Sequence, residues 1–549
     1  MRRRDFLKAL AACSAWPAGC TLGEEKGRFD HSKISGTFVQ PNPIPGHAVR
    51  NGSVDWKQFP ESGSPYDVVI VGGGVGGLSA AWKLRKSGIE RIVLFELNPT
   101  CGGTSRARNE GGALHPWGAH YINIPPQDAA CVHEVLCDIG VIEGYDARNW
   151  PLVEPGAILH WPHERLFIDG HWQEGIEPLA GASKHDQEQI YQFRDRMLRM
   201  ALRRGRDGRR AFALPLRASS ADPALRQLDQ ISMEEYLRSE GLESERLRWY
   251  VNYGCRDDYG SLAHQVSAWA GIHYFACRAY DYRLQDTYPS HTLTWPDGNG
   301  RLVRGLLAGV ESEQVQTDQL VVRIEDAGDT MRIAVLDVAT GAGRMLRAKT
   351  VIYAGKLHAV PYVFTGLGVH QQHALRSIVY SPWLVAALQL KAGSTYAVPT
   401  WDSVLYDSPS LGYIKADHGN PQGDRQTLVY YLPFVEGLDQ ARSELLRANH
   451  SQWVEWIVQD LGRAEPQLVE EIERIDIYRW GHAMVRPSPG FIWGPEHTWR
   501  QKLPGPAFLA CAERTGLPLF EEALYSGILA AEEAMGALGH AFPSSLQEG

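Results

Sequence analysis

The sequence predicts an α/β protein with at least two domains, and three observations lead to this prediction. The apolar, β-branched run Val68–Val71 is typical of a strand buried on both faces of a parallel sheet. A glycine-rich turn and a stretch of helical periodicity, Leu78–Leu84, follow this strand directly. A chain of 549 residues is also too long for one ordinary hydrophobic core. We therefore expect a strand–turn–helix unit in one domain and a second domain beside it.

The turn after the first strand has the spacing G-x-G-x-x-G. Gly72 permits the tight turn, Gly74 lets backbone N–H groups approach a pyrophosphate, and Gly77 lets the helix pack close to the strand. A second apolar run ends at Glu96, whose carboxylate can accept hydrogen bonds from both ribose hydroxyls of an adenosine. Glycines alone also fit a plain structural turn. The order strand, glycines, helix, strand and acid predicts a dinucleotide site.

Further motifs along the chain narrow the choice of dinucleotide. Gly102-Gly103 and Arg106 follow the acid, and Trp295–Gly300 is similar to a P-x-G-G stretch. The segment Phe508–Met535 leads from a strand through an acid into a helix. Together these segments resemble the flavin amine oxidase superfamily, which includes monoamine and polyamine oxidases and phytoene desaturases. The resemblance implies FAD as the cofactor and disfavours NAD as the only cofactor.

The resemblance also implies which residues contact FAD and how the domains divide. The implied FAD contacts are Gly72, Gly74, Gly76, Gly77, Glu96, Gly102, Gly103, Arg106, Gly118, Ala119, His120, Val322, Glu513, Phe520 and Ala523. The Rossmann-like FAD domain is expected from the separated stretches 66–125, 290–368 and 485–540. The stretches 126–289 and 369–484 are expected to form an α+β substrate domain with a mixed sheet.

Candidate flavin-facing residues depart from the pattern of the superfamily. Its amine oxidases hold the substrate between two aromatic side chains, and the corresponding positions here are Leu519 and a site nearest His482 or Ala483. The aromatic cage is therefore absent or rebuilt. His482 can position a substrate or accept a proton near neutral pH, or it can simply be hydrogen-bonded in a strand beside Trp480.

Two other groups of residues each have two possible roles. Lys356 can replace the superfamily's lysine near the flavin, which is missing, or it can lie in a surface turn. The run Arg256–Tyr259 and the aromatic pattern Trp269–Tyr274 can line a pocket for a polar ligand, although aromatics at helical spacing more often belong to a core. His115 and His120 lack a regular spacing and an acidic partner, so no metal site is predicted.

The resemblance implies an oxidoreductase in which a small substrate passes a hydride to FAD, and oxygen, a quinone or a cytochrome reoxidises the flavin. An amine is the leading substrate class. One alternative is a desaturase- or isomerase-like enzyme that acts on a C–C bond and needs a long apolar tunnel. A second alternative is a non-catalytic exported flavoprotein, which predicts no cavity at the reactive face of the flavin.

The N-terminus predicts export. Arg3–Lys8 matches the twin-arginine pattern R-R-x-F-L-K, which directs folded proteins through the Tat translocase, so a cofactor can be bound before export. We expect a signal peptide over 1–20, a linker over 21–65 and a location in the periplasm or on the outer face of the membrane. Cys20 ends a possible lipoprotein box in which Pro17 replaces the usual leucine, so a lipid anchor stays open.

Composition excludes some other classes. The net charge is −9 and no long basic stripe is present, so nucleic-acid binding is not expected. Eight cysteines without a C-x-x-C pair indicate neither a disulfide scaffold nor a zinc site.

Overall fold

The structure is a computed structural model that describes residues 31–40, 43–108, 114–160, 162–277, 290–416 and 425–546. The predicted signal peptide, including the twin arginines and Cys20, lies outside the described residues. Two seven-stranded sheets are the largest elements of the described chain. Within these ranges, no helix has both the length and the apolar character that crossing a bilayer requires.

The first sheet contains the predicted strand–turn–helix unit. Its strands are β1 (Tyr66–Val71), β2 (Ile92–Phe95), β11 (Val315–Gln316), β12 (Gln319–Asp326), β13 (Met331–Asp337), β14 (Gly343–Tyr353) and β20 (Ala507–Leu509). Their order is β11-β2-β1-β14-β13-β12, with β20 paired to β14. Strand β1 is parallel to β2 and β14, while β12, β13 and β14 run antiparallel. This sheet therefore gathers strands from widely separated parts of the sequence.

Helices α2 (Val75–Lys86) and α16 (Phe520–Ala537) pack against each other on one face of the first sheet. Val68 and Ile70 of β1 face these helices, while Val69 faces the apolar cluster on the opposite side. All three side chains are fully buried because both faces of the sheet are covered. The β-branched run in the sequence reflects this double burial.

The second sheet is mixed, as the sequence predicts. Its strands are β8 (Glu164–Ile168), β9 (His171–Glu174), β15 (Tyr380–Leu390), β16 (Asp402–Leu405), β17 (Tyr413–Lys415), β18 (Thr427–Pro433) and β19 (Ile472–Val485), in the order β19-β15-β18-β17-β16-β8-β9. Only the β16–β8 pair is parallel.

The two faces of the second sheet have different neighbours. Leu384 and Leu388 of β15 face an apolar cluster formed with helices α12 (Leu438–Arg447), α13 (His450–Leu461) and α14 (Pro466–Glu471). Trp383 and Val385 alternate with them and face the other side, where they pack in an apolar cluster with Trp117 and Tyr253. The alternation that the sequence predicts over 384–390 is thus present. The face that carries Trp383 and Val385 lines the cavity described below.

A helical layer fills the middle of the sequence. It consists of α4 (Lys184–Leu202), α5 (Pro223–Arg226), α6 (Met233–Ser239), α7 (Glu245–Tyr259) and α8 (Ala268–Ala276). Ser232 and Glu235 form the reciprocal hydrogen bonds of a capping box at the start of α6, where the sequence predicts a capped helix. Buried side chains of these helices form a single apolar cluster that includes Trp269.

Shorter elements connect these layers. They are the helices α3 (Ala130–Asp138), α9 (Gly300–Ala308), α10 (Val360–Val363), α11 (Val369–Arg376) and α15 (Glu496–Arg500), and the strands β3 (Ala107–Arg108), β4 (His115–Pro116), β5 (Tyr121–Asn123), β6 (Ile142–Tyr145), β7 (Pro151–Val153) and β10 (Thr292–Thr294).

Residues 31–40 and 43–62 form a segment that we call the N-terminal strap. It contains helix α1 (Ile44–Arg50). Before α1, Ser35 and Phe38 form parallel bridges with β19 of the second sheet. After α1, Glu61 bridges to β14 of the first sheet. The sequence predicts a linker over 21–65, and the described part of that range makes ordered contacts with both sheets.

Candidate functional site

One cavity of about 1020 Å³ lies between the two sheets. Its wall begins at the ends of β1 and β2, passes the start of α16 and ends among side chains of β15, β16 and β18. This volume is at the upper end of the roughly 300–1,000 Å³ that is usual for ligand pockets. The cavity can therefore hold a large cofactor together with a small second ligand.

The glycine turn forms the first part of the wall. Gly72, Gly74 and Gly76 line the cavity, and Gly77 packs behind them, since a Cβ on Gly77 would lie 1.9 Å from the Gly72 carbonyl oxygen. A Cβ on Gly76 would lie 1.9 Å from the carbonyl oxygen of Ala510, so α2 can approach β20 only at a glycine. The cradle leaves the N-terminus of α2 facing the cavity, where a diphosphate gains hydrogen bonds and a favourable helix dipole.

Glu96 is buried beside this turn. Its Oε2 accepts a hydrogen bond from the Gly73 N–H at 2.7 Å, and its Oε1 accepts from the Asn98 N–H at 2.9 Å. These bonds and a third, from Asn98 Nδ2 to Oε1 at 2.7 Å, hold the carboxylate at the cavity wall and leave a lone pair free on Oε2. The arrangement suits recognition of ribose hydroxyls.

Gly102 and Gly103 also line the cavity, next to Gly74. Both have positive φ angles, +124° and +55°, which glycine adopts without strain. Farther along, Gly118, Ala119 and His120 form the wall that the sequence assigns to the flavin ring. This series of residues leads from the adenosine end of the site to its flavin end.

Arg106 and Val322 are not on the cavity wall, although the sequence assigns both to FAD. Arg106 is buried and donates to the Tyr478 hydroxyl at 2.8 Å and to the Thr100 carbonyl oxygen at 2.7 Å, so it ties the loop after Glu96 to β19. Val322 packs into an apolar cluster on the far side of β12, and Val321 lines the cavity instead. Successive residues of a strand face opposite sides of the sheet, and the register of β12 is irregular between Val321 and Arg323. Val321 therefore faces the cavity, and Val322 faces away from it.

The four candidate flavin-facing residues, His482, Trp480, Leu519 and Lys356, all lie on the cavity wall. Lys356 Nζ donates to the carbonyl oxygen of Ala483 at 3.0 Å and lies 3.3 Å from Glu513 Oε1. Lys356 is therefore held by an acid that the sequence assigns to FAD. It does not extend freely from a surface turn.

His482 stacks on His358 with ring centroids 4.3 Å apart. Burial, together with nearby positive charges of which His358 is the first, lowers the pKa of His482 to about 3. Burial, with the charge of Lys356, lowers the pKa of His358 to about 4. Both rings are therefore neutral near pH 7. Trp480 donates from Nε1 to the Trp117 carbonyl oxygen at 2.7 Å, so its ring is fixed at the wall.

The start of α16 closes this end of the cavity. Leu519, Phe520 and Ala523 line it, and the N-terminus of α16 is aimed at the region where a flavin would lie. Glu522 in the same turn is fully buried, and its Oε1 accepts from the Leu216 N–H at 2.5 Å. Burial raises the pKa of Glu522 to about 7.

Beyond the flavin end, the cavity opens into a chamber lined by acids and aromatic rings. Tyr253, Asp257, Asp402 and Tyr431 lie on its wall. Asp257 Oδ2 accepts from the Tyr121 hydroxyl at 3.1 Å, and Asp402 Oδ2 accepts from the Tyr253 hydroxyl at 3.1 Å. We call this part of the cavity the acidic chamber.

A third carboxylate, Glu164, lies next to Asp402 in the neighbouring strand. Burial raises its pKa to about 7, and the negative charge of Asp257 adds to the effect. Burial also raises the pKa of Asp402, again with Glu164 and Asp257 contributing. In the part of the chain that the structure describes, none of these three carboxylates forms an ion pair. Among the described residues, the chamber therefore groups three carboxyl groups without an ion-pair partner.

The sequence identifies only part of this chamber. It leaves open whether Arg256–Tyr259 lines a pocket, and the structure places Asp257 and Asp258 on the cavity wall. Trp269 and His273 instead belong to the helical core, where they stack at 5.1 Å. Asp402, Tyr431 and Glu164 carry no motif in the sequence, so only the folded sheet brings them together.

The residues of the cavity fit FAD on structural grounds. The glycine cradle excludes any Cβ at Gly76 and Gly77, Glu96 is held where an adenosine ribose would lie, and the N-terminus of α16 faces the far end. A dinucleotide spanning these points would be contacted by the residues that the sequence assigns to FAD, apart from Arg106, Val322 and Gly77, which support the wall from behind.

Comparisons with known proteins agree with this geometry. A family profile described as an NAD(P)-binding Rossmann-like domain matches residues 70–136. A putative flavin-containing monoamine oxidase of Mycobacterium tuberculosis is 23% identical over 494 residues, which is 86% of this chain and 97% of that protein. A triple mutant of putrescine oxidase superposes with a TM-score of 0.65 at 15% identity, over 86% of this chain and 99% of that one.

The cyclohexylamine oxidase of Brevibacterium oxydans is similar to the same extent, with a TM-score of 0.63 at 15% identity over 87% of this chain and the whole of that one. The chain has the fold of the flavin amine oxidases. The predicted α/β class, with a Rossmann-like domain and a mixed second sheet, is thereby confirmed. Similarity to flavin-containing amine oxidases also supports an oxidoreductase of the amine oxidase type with FAD as its cofactor.

Proposed function

We propose that this protein is an FAD-dependent oxidase or dehydrogenase of small cationic amines. When bound, FAD would supply the electron sink for a hydride from the carbon next to the amine nitrogen. The substrate thereby becomes an iminium ion, which water hydrolyses to a carbonyl compound and an amine or ammonium ion. Oxygen, a quinone or a cytochrome is proposed to take the electrons onward.

The observation that carries this proposal is the difference in charge between the two parts of the cavity. The wall of the cofactor part carries both basic and acidic side chains, whereas the described wall of the acidic chamber carries Asp257 and Asp402 and no lysine or arginine. A cation therefore gains favourable electrostatic energy at the chamber end. A protonated amine is the common biological ligand that fits an acidic pocket with aromatic walls.

His120 is the basic side chain at the junction of the two parts. Burial lowers its pKa to about 4, so its ring is neutral at pH 7. In the tautomer that donates from Nδ1 to the Gly118 carbonyl oxygen, 3.3 Å away, Nε2 remains an acceptor. The ring can therefore take the ammonium proton that a substrate must lose before hydride transfer. His120 packs against Tyr431, with ring centroids 4.7 Å apart, and this contact fixes the position of its ring.

The two alternatives have weaker support. An enzyme acting on a C–C bond of an apolar substrate requires an apolar tunnel, but the chamber next to the flavin end contains carboxylates. A non-catalytic flavoprotein requires side chains packed over the reactive face, but the cavity continues past it. A reduction experiment with amines distinguishes both alternatives from amine oxidation.

The direct test is an anaerobic visible spectrum of the purified holoprotein, mixed in turn with monoamines, diamines, polyamines, amino acids and cyclic amines. We expect the oxidised-flavin band at about 450 nm to bleach with at least one class of cationic amine. Bleaching by dithionite but by no amine would eliminate an amine as the substrate.

Substitution of the chamber acids tests the observation behind the proposal. Asp257→Asn and Asp402→Asn should each raise the KM for the reducing amine about 10- to 100-fold, because a charge-assisted hydrogen bond contributes roughly 1.5–3 kcal/mol. Asp329→Asn, on an exposed turn between β12 and β13, is the matched control and should leave KM unchanged. Equal KM values in all three variants would contradict a role for the chamber in binding the amine.

We also propose that the protein reaches its compartment through the Tat translocase with FAD already bound. The twin arginines Arg3 and Arg4 support this proposal. Replacing both by lysine should retain the protein in the cytoplasm with its flavin bound, as measured by cell fractionation and visible absorbance. Cys20→Ser should release a lipid-anchored form from the membrane fraction, and an unchanged distribution would exclude the anchor.

A further inference from the structure

The N-terminal strap passes over the cofactor part of the cavity. Pro43, Gly46, His47, Val49 and Arg50, all in or next to α1, lie on the cavity wall. The other side of α1 faces solvent, since Ile44 is 68% exposed. Helix α1 therefore forms the outer wall of the cofactor part, although it precedes the whole dinucleotide-binding unit in the sequence.

The strap is fastened to the second sheet before it reaches the cavity. The Ser35 N–H donates to the Glu473 carbonyl oxygen at 3.0 Å, and the Ile477 N–H donates to the Thr37 carbonyl oxygen at 2.9 Å. The Phe38 ring lies 3.6 Å from the guanidinium carbon of Arg479. Backbone hydrogen bonds and this cation–π contact hold the first end of the strap.

The second end of the strap is fastened to the first sheet. The Met345 N–H donates to the Pro60 carbonyl oxygen at 2.8 Å, and the Ser62 N–H donates to the Met345 carbonyl oxygen at 2.9 Å. Between these anchors, Val49 of α1 packs against the apolar clusters on both sides of β12. Because both ends are bound, α1 leaves the cavity only if one set of anchors opens.

The position of α1 along the cavity indicates which part of the cofactor it covers. Gly46 approaches the side chain of Leu97, directly after the ribose-binding Glu96. From the same helix, the charge of Arg50 lowers the pKa of His358 and the charge of His47 lowers the pKa of His482, so the charges of α1 reach toward the flavin end. The diphosphate of a dinucleotide lies between its adenosine and its flavin. Helix α1 therefore spans the diphosphate region.

The charges on α1 suit this position. Arg50 Nε donates to the Asn51 side-chain oxygen at 3.2 Å, and no acid pairs with this guanidinium in the described chain. Arg376 adds a second guanidinium to the same wall. His47 contributes a ring N–H donor. A diphosphate carries two negative charges, and an arginine guanidinium is the side chain best suited to bind them.

We propose that the N-terminal strap is a cofactor-retaining element: Arg50 and His47 contact the diphosphate of FAD from the side opposite the glycine cradle, and release of FAD requires the strap to open. This inference depends on FAD as the cofactor and not on an amine as the substrate. Its test therefore measures release of flavin and not turnover. A retained cofactor is of particular use to an enzyme in a compartment that does not supply FAD.

The test compares the rate of FAD release from the purified holoprotein and its variants, followed by the rise in flavin fluorescence after dilution. We expect salt to accelerate FAD release from the unmodified protein, and we expect Arg50→Ala to increase the release rate about 10-fold and to remove this salt dependence. Lys57→Ala is the matched control, because Lys57 lies on the same strap and outside the cavity wall. It should leave the rate unchanged.

A second variant distinguishes the contact between Arg50 and FAD from the closed position of the strap. Phe38→Ala loosens the anchor on the second sheet and leaves the cavity wall intact, so it should increase the release rate and retain the salt dependence. Thermal unfolding with excess FAD checks that both variants fold. Release at the unmodified rate in Arg50→Ala and Phe38→Ala would overturn the proposal, even if amine oxidation were established. Faster release in Lys57→Ala as well would equally overturn it.

Discussion

At the scale of single residues, the acidic chamber depends on the ionisation of Glu164 and Asp402. Burial raises the pKa of both carboxyl groups, and that of Glu164 is about 7. The Glu164 carboxyl group is therefore protonated in part near pH 7, and each group ionises only as the pH rises above its raised pKa. A bound cation stabilises the ionised form, so cation binding and loss of these protons are linked.

We expect the affinity for a cation to increase as the pH rises from 6 to 8. Tetramethylammonium is a suitable probe because its own charge does not change with pH, and its binding can be followed by the perturbation of the flavin spectrum. Glu164→Gln should flatten the pH dependence, since the titrating group is removed. An affinity that falls with increasing pH would contradict the assignment of these acids to cation binding.

At the scale of elements, the contact between α2 and α16 depends on glycine. Apart from the 1.9 Å approach to Ala510, a Cβ on Gly76 would also lie 3.3 Å from the Ala523 carbonyl oxygen in α16. The obstacles are backbone atoms, which cannot rotate away. A methyl group at Gly76 therefore separates the helix from the strand and distorts the diphosphate cradle.

Gly76→Ala should lower the free energy of unfolding by about 3 kcal/mol or more and reduce the flavin content of the purified protein. Gly536→Ala is the matched control in α16, because a Cβ there meets no atom within 4 Å. This second change should stabilise the protein by about 0.5–1 kcal/mol, since alanine favours a helix over glycine. Denaturant unfolding of both variants measures the difference, and a neutral Gly76→Ala would contradict the packing argument.

The helices and strands also show which parts of the site can be predicted from the sequence. The glycine turn, Glu96 and the start of α16 are local signals, because each motif contains its own strand or helix, and the structure places them on one wall. The acidic chamber is assembled from α7, β16 and β18, so Asp257, Asp402 and Tyr431 become neighbours only through the pairing of the second sheet. No local pattern encodes such a pairing, so the sequence indicates Asp257 as a possible pocket residue but not Asp402 or Tyr431 beside it.

At the scale of the whole molecule, the cofactor site joins the two sheets. Arg106 connects the loop after Glu96 with β19, and Tyr431 of β18 donates to the Gly118 carbonyl oxygen at 3.0 Å. A ligand in the cavity between them contacts both sheets at once. FAD should therefore stabilise the folded molecule as a unit and not only the dinucleotide-binding half.

We expect removal of FAD to lower the Tm and its readdition to restore it. By mass action, FAD at 1,000 times its Kd contributes about 4 kcal/mol to the free energy of unfolding. NAD at the same concentration is the control, because the site is assigned to a flavin dinucleotide. A Tm that rises equally with NAD and FAD would contradict that assignment.

The N-terminal strap has a consequence for the order of events during synthesis. Ser35 and Thr37 are among the first described residues to leave the ribosome, yet their hydrogen-bond partners Glu473 and Asp476 follow 438 and 439 residues later. The strap can therefore close only on a nearly complete chain, after the glycine cradle has been translated. This order leaves the cofactor part of the cavity uncovered by the strap until residues 473–476 have been translated.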